Sequence, residues 1–207
     1  PVGLVATFPV ALVVRADLPA RDLQEFLALA RSRPGGLSYA SAGNATTAHL
    51  TMELFKRRAE LRIVHIPYKG EAPALNDLMG GQVDAAFSSL ASVLPHLQGG
   101  RLRVLGLASD TRSPLAPELP TLAEAGLAGF RSVGWYALLA PAGTPPAAVE
   151  RLHKELLVFL ADPQTRTRMQ AQALAATGSS PQELRQWIVE DTERWRKVIA
   201  DAGIKAD

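Results

Sequence analysis

Small polar residues in the segment Tyr39–Leu50 could bind an anion. A short apolar run ends at Ala40, and a helical pattern begins near Asn44 or Ala45. The start of a helix attracts carboxylates and phosphates, because its first N–H groups lack intrahelical partners and carry a partial positive charge. The serine and threonine hydroxyls of the segment would add donors. The alternative is an ordinary helix start with Asn44 as the N-cap, which is the commoner arrangement.

A second segment, Ile66–Pro73, has the same order of a strand end followed by a helix start. Lys69 could supply positive charge there, and Gly70 could let the backbone approach a ligand closely. The same two residues equally fit a plain turn, with Lys69 in solvent and Tyr68 packed on the protein.

Two hydroxyls close a third segment, Phe87-Ser88-Ser89, where another strand gives way to a helix. They could donate to a ligand, or one of them could simply cap the helix. The strands of a parallel sheet all end at the same edge, and ligands bind outside those carboxyl ends. We therefore expect the three segments to lie together, which is better evidence for a binding site than any one of them.

Catalytic and metal-binding motifs are absent from the sequence. It contains no G-x-S-x-G, H-E-x-x-H, P-loop or G-x-G-x-x-G pattern, and its four histidines do not lie at metal-ligand spacing. His49 near Ser41 could act as a base, but the sequence shows no acid that would orient it. We therefore predict no catalytic residue, no metal and no cofactor.

Short apolar runs rich in β-branched residues alternate with helical patterns from Val10 to Ala108. This alternation is typical of an α/β unit with a parallel sheet. The predicted strands are Val10–Arg15, Leu37–Ala40, Arg62–Pro67, Val83–Phe87 and Leu102–Ala108. The predicted helices between them are Arg21–Arg31, Thr46–Arg58, Ala72–Met79 and Ser89–Leu97.

Beyond Ala108 the pattern changes. A connection with one short helix at Thr121–Ala125 leads to a strand at Val133–Ala140. The remaining tail has no sheet of its own, so its helices need another surface on which to pack. These amphipathic helices are predicted at Ala147–Ala161, Pro163–Ala173 and Pro181–Ala202, with no convincing strand between them.

Composition excludes several classes of protein. The chain has 207 residues, of which 47% are hydrophobic and 20% are charged, so it can fold as one or two globular domains. Its net charge is +2, and the halves on either side of Gly100 carry +1 each, so nothing indicates a nucleic-acid partner. It has no cysteine, and no apolar run approaches the ~20 residues of a membrane helix. The sequence begins at Pro1 without a signal peptide, as a processed product or a fragment would.

Several stretches, in order along the whole chain, resemble the Bug family of periplasmic solute-binding proteins, the TctC-like components of tripartite tricarboxylate transporters. They are Ser41–Leu50, Ile66–Leu75 with its Pro-Tyr-Lys-Gly, Gly80–Asp84, Pro120–Gly126, Trp135–Pro145 and Ala202–Lys205. The resemblance implies a two-lobed, periplasmic-binding-protein-like α/β fold that closes around a small carboxylate ligand in the cleft between its lobes. It also implies a periplasmic location, transporter membrane subunits as partners, and no catalytic activity.

The resemblance places candidate ligand contacts in all three segments. They are Ser41, Gly43, Asn44, Thr46, Thr47, His49, Gly70, Glu71, Ala72, Ser88 and Ser89. Three positions depart from the family: Ala42 stands where a serine is common, Ala45 where a glycine is common, and Glu71 where small residues are usual. A carboxylate at Glu71 would repel an anionic ligand. The identity of the ligand therefore stays open, and one with a cationic or amide group also fits.

Length is the largest departure, because family members carry a further N-terminal section. The resemblance therefore implies a truncated molecule in which residues 1–9 are a remnant of lobe one, 10–132 form a complete parallel-sheet lobe two, and 133–207 are the crossover strand and C-terminal helices of lobe one. Surface exposed by truncation could support a homo-oligomer.

Three hypotheses of function follow from these observations. The first is capture of a carboxylate for a transporter. The second is the ligand-sensing effector domain of a transcriptional regulator, which a DNA-binding helix-turn-helix in the missing region would favour and a secretion signal there would exclude. The third is a hydrolase that uses Ser41 and His49.

Overall fold

The computed structural model describes residues 1–205, which divide into two compact units. The smaller unit comprises Pro1–Phe8 and Gly134–Arg196. The larger unit comprises Pro9–Val133 and the chain from Lys197 onward. The assignment of the chain to two lobes of a binding protein stays a prediction.

A five-stranded sheet organises the larger unit, in the order β3-β2-β4-β1-β5. Strands β2 and β3, and likewise β2 and β4, are parallel, whereas β1 runs antiparallel to both β4 and β5. The α/β fold is thus confirmed, but the expectation of a wholly parallel sheet was wrong for β1. The strands are β1 (Gly3–Arg15), β2 (Ser38–Ser41), β3 (Val64–Pro67), β4 (Ala85–Ser89) and β5 (Leu102–Leu107).

The direction of β1 could not be read from its composition. Its residues from Val10 to Val14 are all buried, so the strand is a continuous apolar run. Such a run is typical of parallel strands covered on both faces, but an antiparallel strand in the middle of a sheet gives the same pattern.

Helices follow the strands of the larger unit in turn, with ends within a few residues of the predicted ones. They are α1 (Leu23–Ser32), α2 (Thr47–Ala59), α3 (Glu71–Met79) and α4 (Leu90–Leu97). Side chains cap three of them: Asp22 accepts a hydrogen bond from the N–H of Glu25, Thr46 from that of His49, and Ser89 from that of Ser92. Such caps are typical helix starts.

Four phenylalanines form an aromatic core between these elements. The ring centroid of Phe55 lies 5.8 Å from that of Phe87 and 5.9 Å from that of Phe130, both edge-on. Phe26 lies 6.2 Å from Phe55 in a tilted arrangement. All four side chains are buried, so this cluster fixes α1 and α2 against the sheet that carries the predicted site.

The predicted short helix at Thr121–Ala125 was wrong, because the segment forms only turns. Its first residues do make the reciprocal bonds of a helix start: the N–H of Thr121 donates to the Glu124 carboxylate, and the N–H of Glu124 donates to the Thr121 hydroxyl. Gly126 then takes a left-handed conformation with φ of +114°, which ends the turn before a helix develops.

Two further strands join the sheet through β1, and the second of them lies between the helices of the tail, where no strand was expected. β6 (Val133–Leu138) and β7 (Ala175–Ala176) both pair with β1. β7 was missed because two residues give no periodicity to detect. The helices of the tail are α5 (Pro146–Ala161), α6 (Pro163–Ala171) and α7 (Pro181–Ala202), with Pro146 and Pro163 in their first turns as predicted. The end of α7, from Lys197, belongs to the larger unit.

Large apolar side chains are exposed on α5. Val158 is 68% exposed and Phe159 is 55% exposed, and Leu152 and Leu157 are also exposed. The homo-oligomer that such surface could support stays a prediction. Within residues 1–205, no helix combines the length and apolar character needed to span a bilayer.

Candidate functional site

The three predicted segments meet at one edge of the larger unit's sheet. β3, β2 and β4 are neighbours that point in the same direction, and a helix starts after each of them, directly after β4 and after a short loop in the other two cases. Backbone hydrogen bonds tie the first two segments together, because the N–H of Tyr68 donates to the carbonyl of Ser41 (3.0 Å) and that of Gly70 to the carbonyl of Ala42 (3.0 Å). The predicted convergence is therefore confirmed, whereas the role of its residues in binding stays a prediction.

Ser41 is a structural residue of the first segment. Its side chain is 1% exposed, its Oγ accepts a hydrogen bond from the N–H of Gly43 (3.2 Å), and it lies 2.7 Å from Nε2 of His65. The hydroxyl therefore shapes the loop from within, and a ligand would meet the backbone of the loop before it met this side chain.

His49 also acts on the loop from within. Its ring is buried, and Nδ1 accepts a hydrogen bond from the N–H of Ala45 at 3.1 Å. Ala45 has a φ of +56°, a left-handed conformation that costs an alanine more than a glycine. The bond to His49 holds this residue in place, which explains how alanine is accommodated here.

The start of α2 is open to solvent. Thr46 caps the helix and also donates to the carbonyl of Gly43 (2.8 Å), while Thr47 is exposed at the first helical position. Asn44, just before them in the loop, is partly buried and has an interaction partner of its own. The N–H groups of this first turn are thus the donors that this segment offers.

Buried polar rings lie behind the first segment. The His65 ring stacks between His49 and Tyr39, with centroids 3.9 and 4.7 Å away. Tyr39 donates to Glu53 at 2.6 Å, as does the ammonium of Lys56. Burial first, and then the bond to Glu53, raise the pKa of Tyr39, so its hydroxyl is a donor at every physiological pH.

The histidine beside Ser41 was not the one the sequence suggested. The hydrolase hypothesis paired Ser41 with His49, but His65 makes that contact. His65 reaches Ser41 because β2 and β3 pair in a parallel register that sets Tyr39 opposite His65. A prediction that these two strands pair would therefore have identified His65 as the neighbour of Ser41.

The histidine cluster borders a cavity of about 430 Å³, whose lining also includes Asn44, Lys56 and the 202–205 segment.

Stability is expected to decline as the pH falls from 6.5 towards 4 because of His65. Burial first, and then the neighbouring His49, lower the pKa of His65 to about 4, from an ordinary value of about 6.5. In this window the unfolded chain binds a proton that the folded chain excludes, so the stability present above the window is lost within it. Urea unfolding above and inside the window measures the effect. H65Q should flatten the dependence, and an unchanged slope in H65Q would contradict the assignment.

The second segment offers backbone more than side chains. Gly70 caps α3 without any side-chain hydrogen bond and has a φ of +121°, which favours glycine. Ala72 is exposed in the first turn, and so is Lys69 just before the helix. Tyr68 donates to Asp77 at 2.8 Å, in agreement with the alternative in which it packs on the protein.

Glu71 is half-buried, and its carboxylate is directed towards the third segment. Its carboxylate accepts hydrogen bonds from the hydroxyl of Ser88, from the N–H of Ser89 (2.7 Å) and from the hydroxyl of Ser92 (3.0 Å). From the sequence, this carboxylate was expected to face the ligand. In the structure, donors at the start of α4 bind it instead. Ser88 and Ser89 serve this carboxylate, and Ser89 also caps the helix.

Comparison with known proteins assigns the family. A model described as "Tripartite tricarboxylate transporter family receptor" (TctC) matches residues 1–204. The chain is 40% identical over 208 residues to the "UPF0065 protein in tcbD-tcbE intergenic region" of Pseudomonas sp. (strain P51), a match that covers 100% of this chain and 62% of the relative. The chain thus spans less than two thirds of that relative's length.

Solved structures agree with the sequence match. The adipate complex of Rpa4515 from R. palustris is 34% identical with a TM-score of 0.91, covering 99% of this chain and 68% of that one. The malate complex of MatC (Rpa3494) from Rhodopseudomonas palustris is 31% identical with a TM-score of 0.84, covering 96% and 69%. The structural neighbours, which include the periplasmic binding protein BugD, confirm the periplasmic-binding-protein-like fold, and the proteins of the matched family are solute-binding proteins, not enzymes. The chain belongs to the TctC family of tripartite tricarboxylate transporter receptors, the family that its sequence resembles.

Proposed function

We propose that the edge formed by the three segments binds a small carboxylate ligand. The observation that carries the proposal is that adjacent parallel strands end in the starts of α2, α3 and α4, where helix dipoles and first-turn N–H groups favour negative charge. The carboxylate of Glu71, held at α4 by the hydroxyls of Ser88 and Ser92 and the N–H of Ser89, supports it, because it is an example within this chain of what that edge accommodates. Similarity to an adipate complex and a malate complex points to the same chemistry.

The ligand's carboxylate would meet the first turns of α2 and α3. Thr46, Thr47 and Asn44 surround the first of these, and Gly70 and Ala72 lie at the second. Ser41 and His49 would contribute by holding the loop, because both are buried and bonded to its backbone. Closure of a second lobe over the ligand, which the resemblance implies, would require the ligand to favour the closed state.

In the whole protein we place this binding event in the periplasm, with delivery to the membrane subunits of a tripartite transporter. The family description, a transporter receptor, supports this assignment. It favours the solute-capture hypothesis over the effector domain of a transcriptional regulator. A ligand-dependent association of the chain with such membrane subunits is the corresponding expectation.

A new negative charge in the first turn of α2 is expected to weaken carboxylate binding. Thr47 is exposed there, and an acidic residue at a helix start is favourable for the helix itself. T47E should therefore fold normally but lower the affinity by about tenfold or more, the equivalent of ~1.4 kcal/mol of charge repulsion. Calorimetric titration with C4 to C6 dicarboxylates and tricarboxylates, aromatic carboxylates and amino acids measures the effect.

The matched control is Q164E, which adds the same charge to the first turn of α6 in the smaller unit. It should leave the affinity at the wild-type value. If no carboxylate binds the wild-type chain, or if T47E and Q164E bind equally well, the proposed site is wrong.

A further inference from the structure

The carboxylate of Glu71 occupies the start of α4 in the manner of a bound ligand. One oxygen accepts from the hydroxyl of Ser88 and from the N–H of Ser89, and the other accepts from the hydroxyl of Ser92 (3.0 Å). The hydroxyl of Ser89 donates its one proton to the Ser92 hydroxyl oxygen (2.8 Å), from where the Ser92 proton is directed at the carboxylate. Both carboxylate oxygens are thus hydrogen-bonded. We call this set of donors, from Ser88, Ser89 and Ser92, the α4 cradle.

Glu71 is not needed as an ordinary helix cap. Ser89 already caps α4, because its hydroxyl accepts a hydrogen bond from the N–H of Ser92 at 3.3 Å. Glu71 comes from a different element, as the first residue of α3. The carboxylate is therefore an addition to a capped helix, supplied from the neighbouring segment of the same edge. Charge-assisted bonds of this kind are about twice as strong as neutral ones.

The occupied cradle has two consequences for a ligand at this edge. The donors of the α4 cradle are already taken, since Ser88 is 3% exposed and faces Glu71. The Glu71 carboxylate also lies beside the donors that a second ligand carboxylate would need. The two negative charges would repel each other at such short range. The second carboxylate of the ligand would also lose its bound water without gaining hydrogen-bond donors, which costs free energy.

We propose that Glu71 sets the ligand class of the candidate site by filling the α4 cradle with the chain's own carboxylate. The site then accepts a ligand with one carboxylate, received at α2 and α3, and an uncharged or cationic opposite end. This inference rests on the proposed function, and it distinguishes the chain from a receptor that binds both ends of a dicarboxylate through donors.

The first test asks whether the cradle is a carboxylate site at all, and it needs no knowledge of the ligand. E71A empties the cradle and leaves the Ser88 hydroxyl buried without a partner, so its thermal midpoint should be lower than that of the wild-type chain. Sodium formate should restore most of the loss in a saturable way, because formate fits the emptied space, whereas sodium chloride at equal ionic strength should not.

E183A is the matched control for this test. Glu183 accepts a hydrogen bond from the N–H of Ser180 at the start of α7 but has no set of hydroxyl donors around it. Its loss should lower the midpoint without formate rescue. Formate and chloride having equal effects on E71A would overturn the proposal.

The second test measures ligand preference with three pairs of compounds: succinate and succinamate, glutarate and glutaramate, adipate and adipamate. The members of each pair differ only in whether the far end is a carboxylate or an amide. The wild-type chain should bind the monoamide about tenfold or more tightly than its dicarboxylate. E71A should lose or reverse this preference. The isosteric E71Q should do the same, and it serves as the second variant in case alanine at this position disturbs the fold.

The outcomes separate this inference from the proposed function. If the wild-type chain binds carboxylates but prefers the dicarboxylate, or if both Glu71 variants keep the wild-type preference, Glu71 does not set the ligand class while the proposed function stands. If no member of any pair binds the wild-type chain or the variants, the proposed function is overturned, and the specificity role with it.

Discussion

Replacing Phe55 by alanine is expected to lower the free energy of unfolding by about 3–5 kcal/mol, the range for truncating a fully buried phenylalanine. The Phe55 side chain is 0% exposed. It makes edge-on contacts with Phe87 and Phe130 and a tilted contact with Phe26. Its loss leaves a cavity between α2 and the sheet that the other three rings cannot fill without moving. Urea unfolding, followed by circular dichroism, measures the change.

F159A is the matched control, because it removes the same side chain from a site on α5 that is 55% exposed. A surface truncation of this kind should change the free energy of unfolding by no more than about 0.5 kcal/mol. A loss in F55A as small as that in F159A would show that the aromatic cluster does not hold the larger unit together. Since α2 carries the first segment at its start, F55A should also weaken any ligand binding at the sheet edge.

The helices could be predicted from the sequence to within a few residues, and α7 to both of its ends. Pro181 at the start and a long amphipathic pattern after it define this helix locally. β1 was harder, because Pro9 interrupts its apolar run and proline normally indicates the end of a strand. The strand nevertheless continues through Pro9, which is the residue at which the chain leaves the smaller unit.

The position of the candidate site followed from a general rule, but the directions of its side chains did not. Strand ends of one direction must share an edge, and the three segments do. Whether Glu71 faces a ligand or α4, however, depends on a rotamer choice that the spacing of residues cannot determine. The contact between Ser41 and His65 likewise depends on the register between β2 and β3, which is a long-range property of the fold.

Gly43 is the position where a single methyl group should do most damage to the candidate site. Its φ of +138° is rarely adopted by other residues, and a Cβ there would lie 3.4 Å from the carbonyl oxygen of Tyr68. G43A must therefore move the loop of the first segment or strain it, at a cost of about 1–3 kcal/mol. If the loop moves, the N–H of Gly43 leaves Ser41 and the start of α2 loses its fixed position relative to the second segment.

We expect G43A to lower carboxylate affinity by about tenfold or more, because displaced donors no longer converge on one anion. Calorimetric titration measures this effect with the carboxylate that binds the wild-type chain most tightly. G99A is the matched control, since Gly99 is exposed after α4 and an added methyl group would have no neighbour nearer than 3.9 Å. It should bind as the wild-type chain does. Wild-type affinity in G43A would mean that the ligand does not depend on the geometry of this loop.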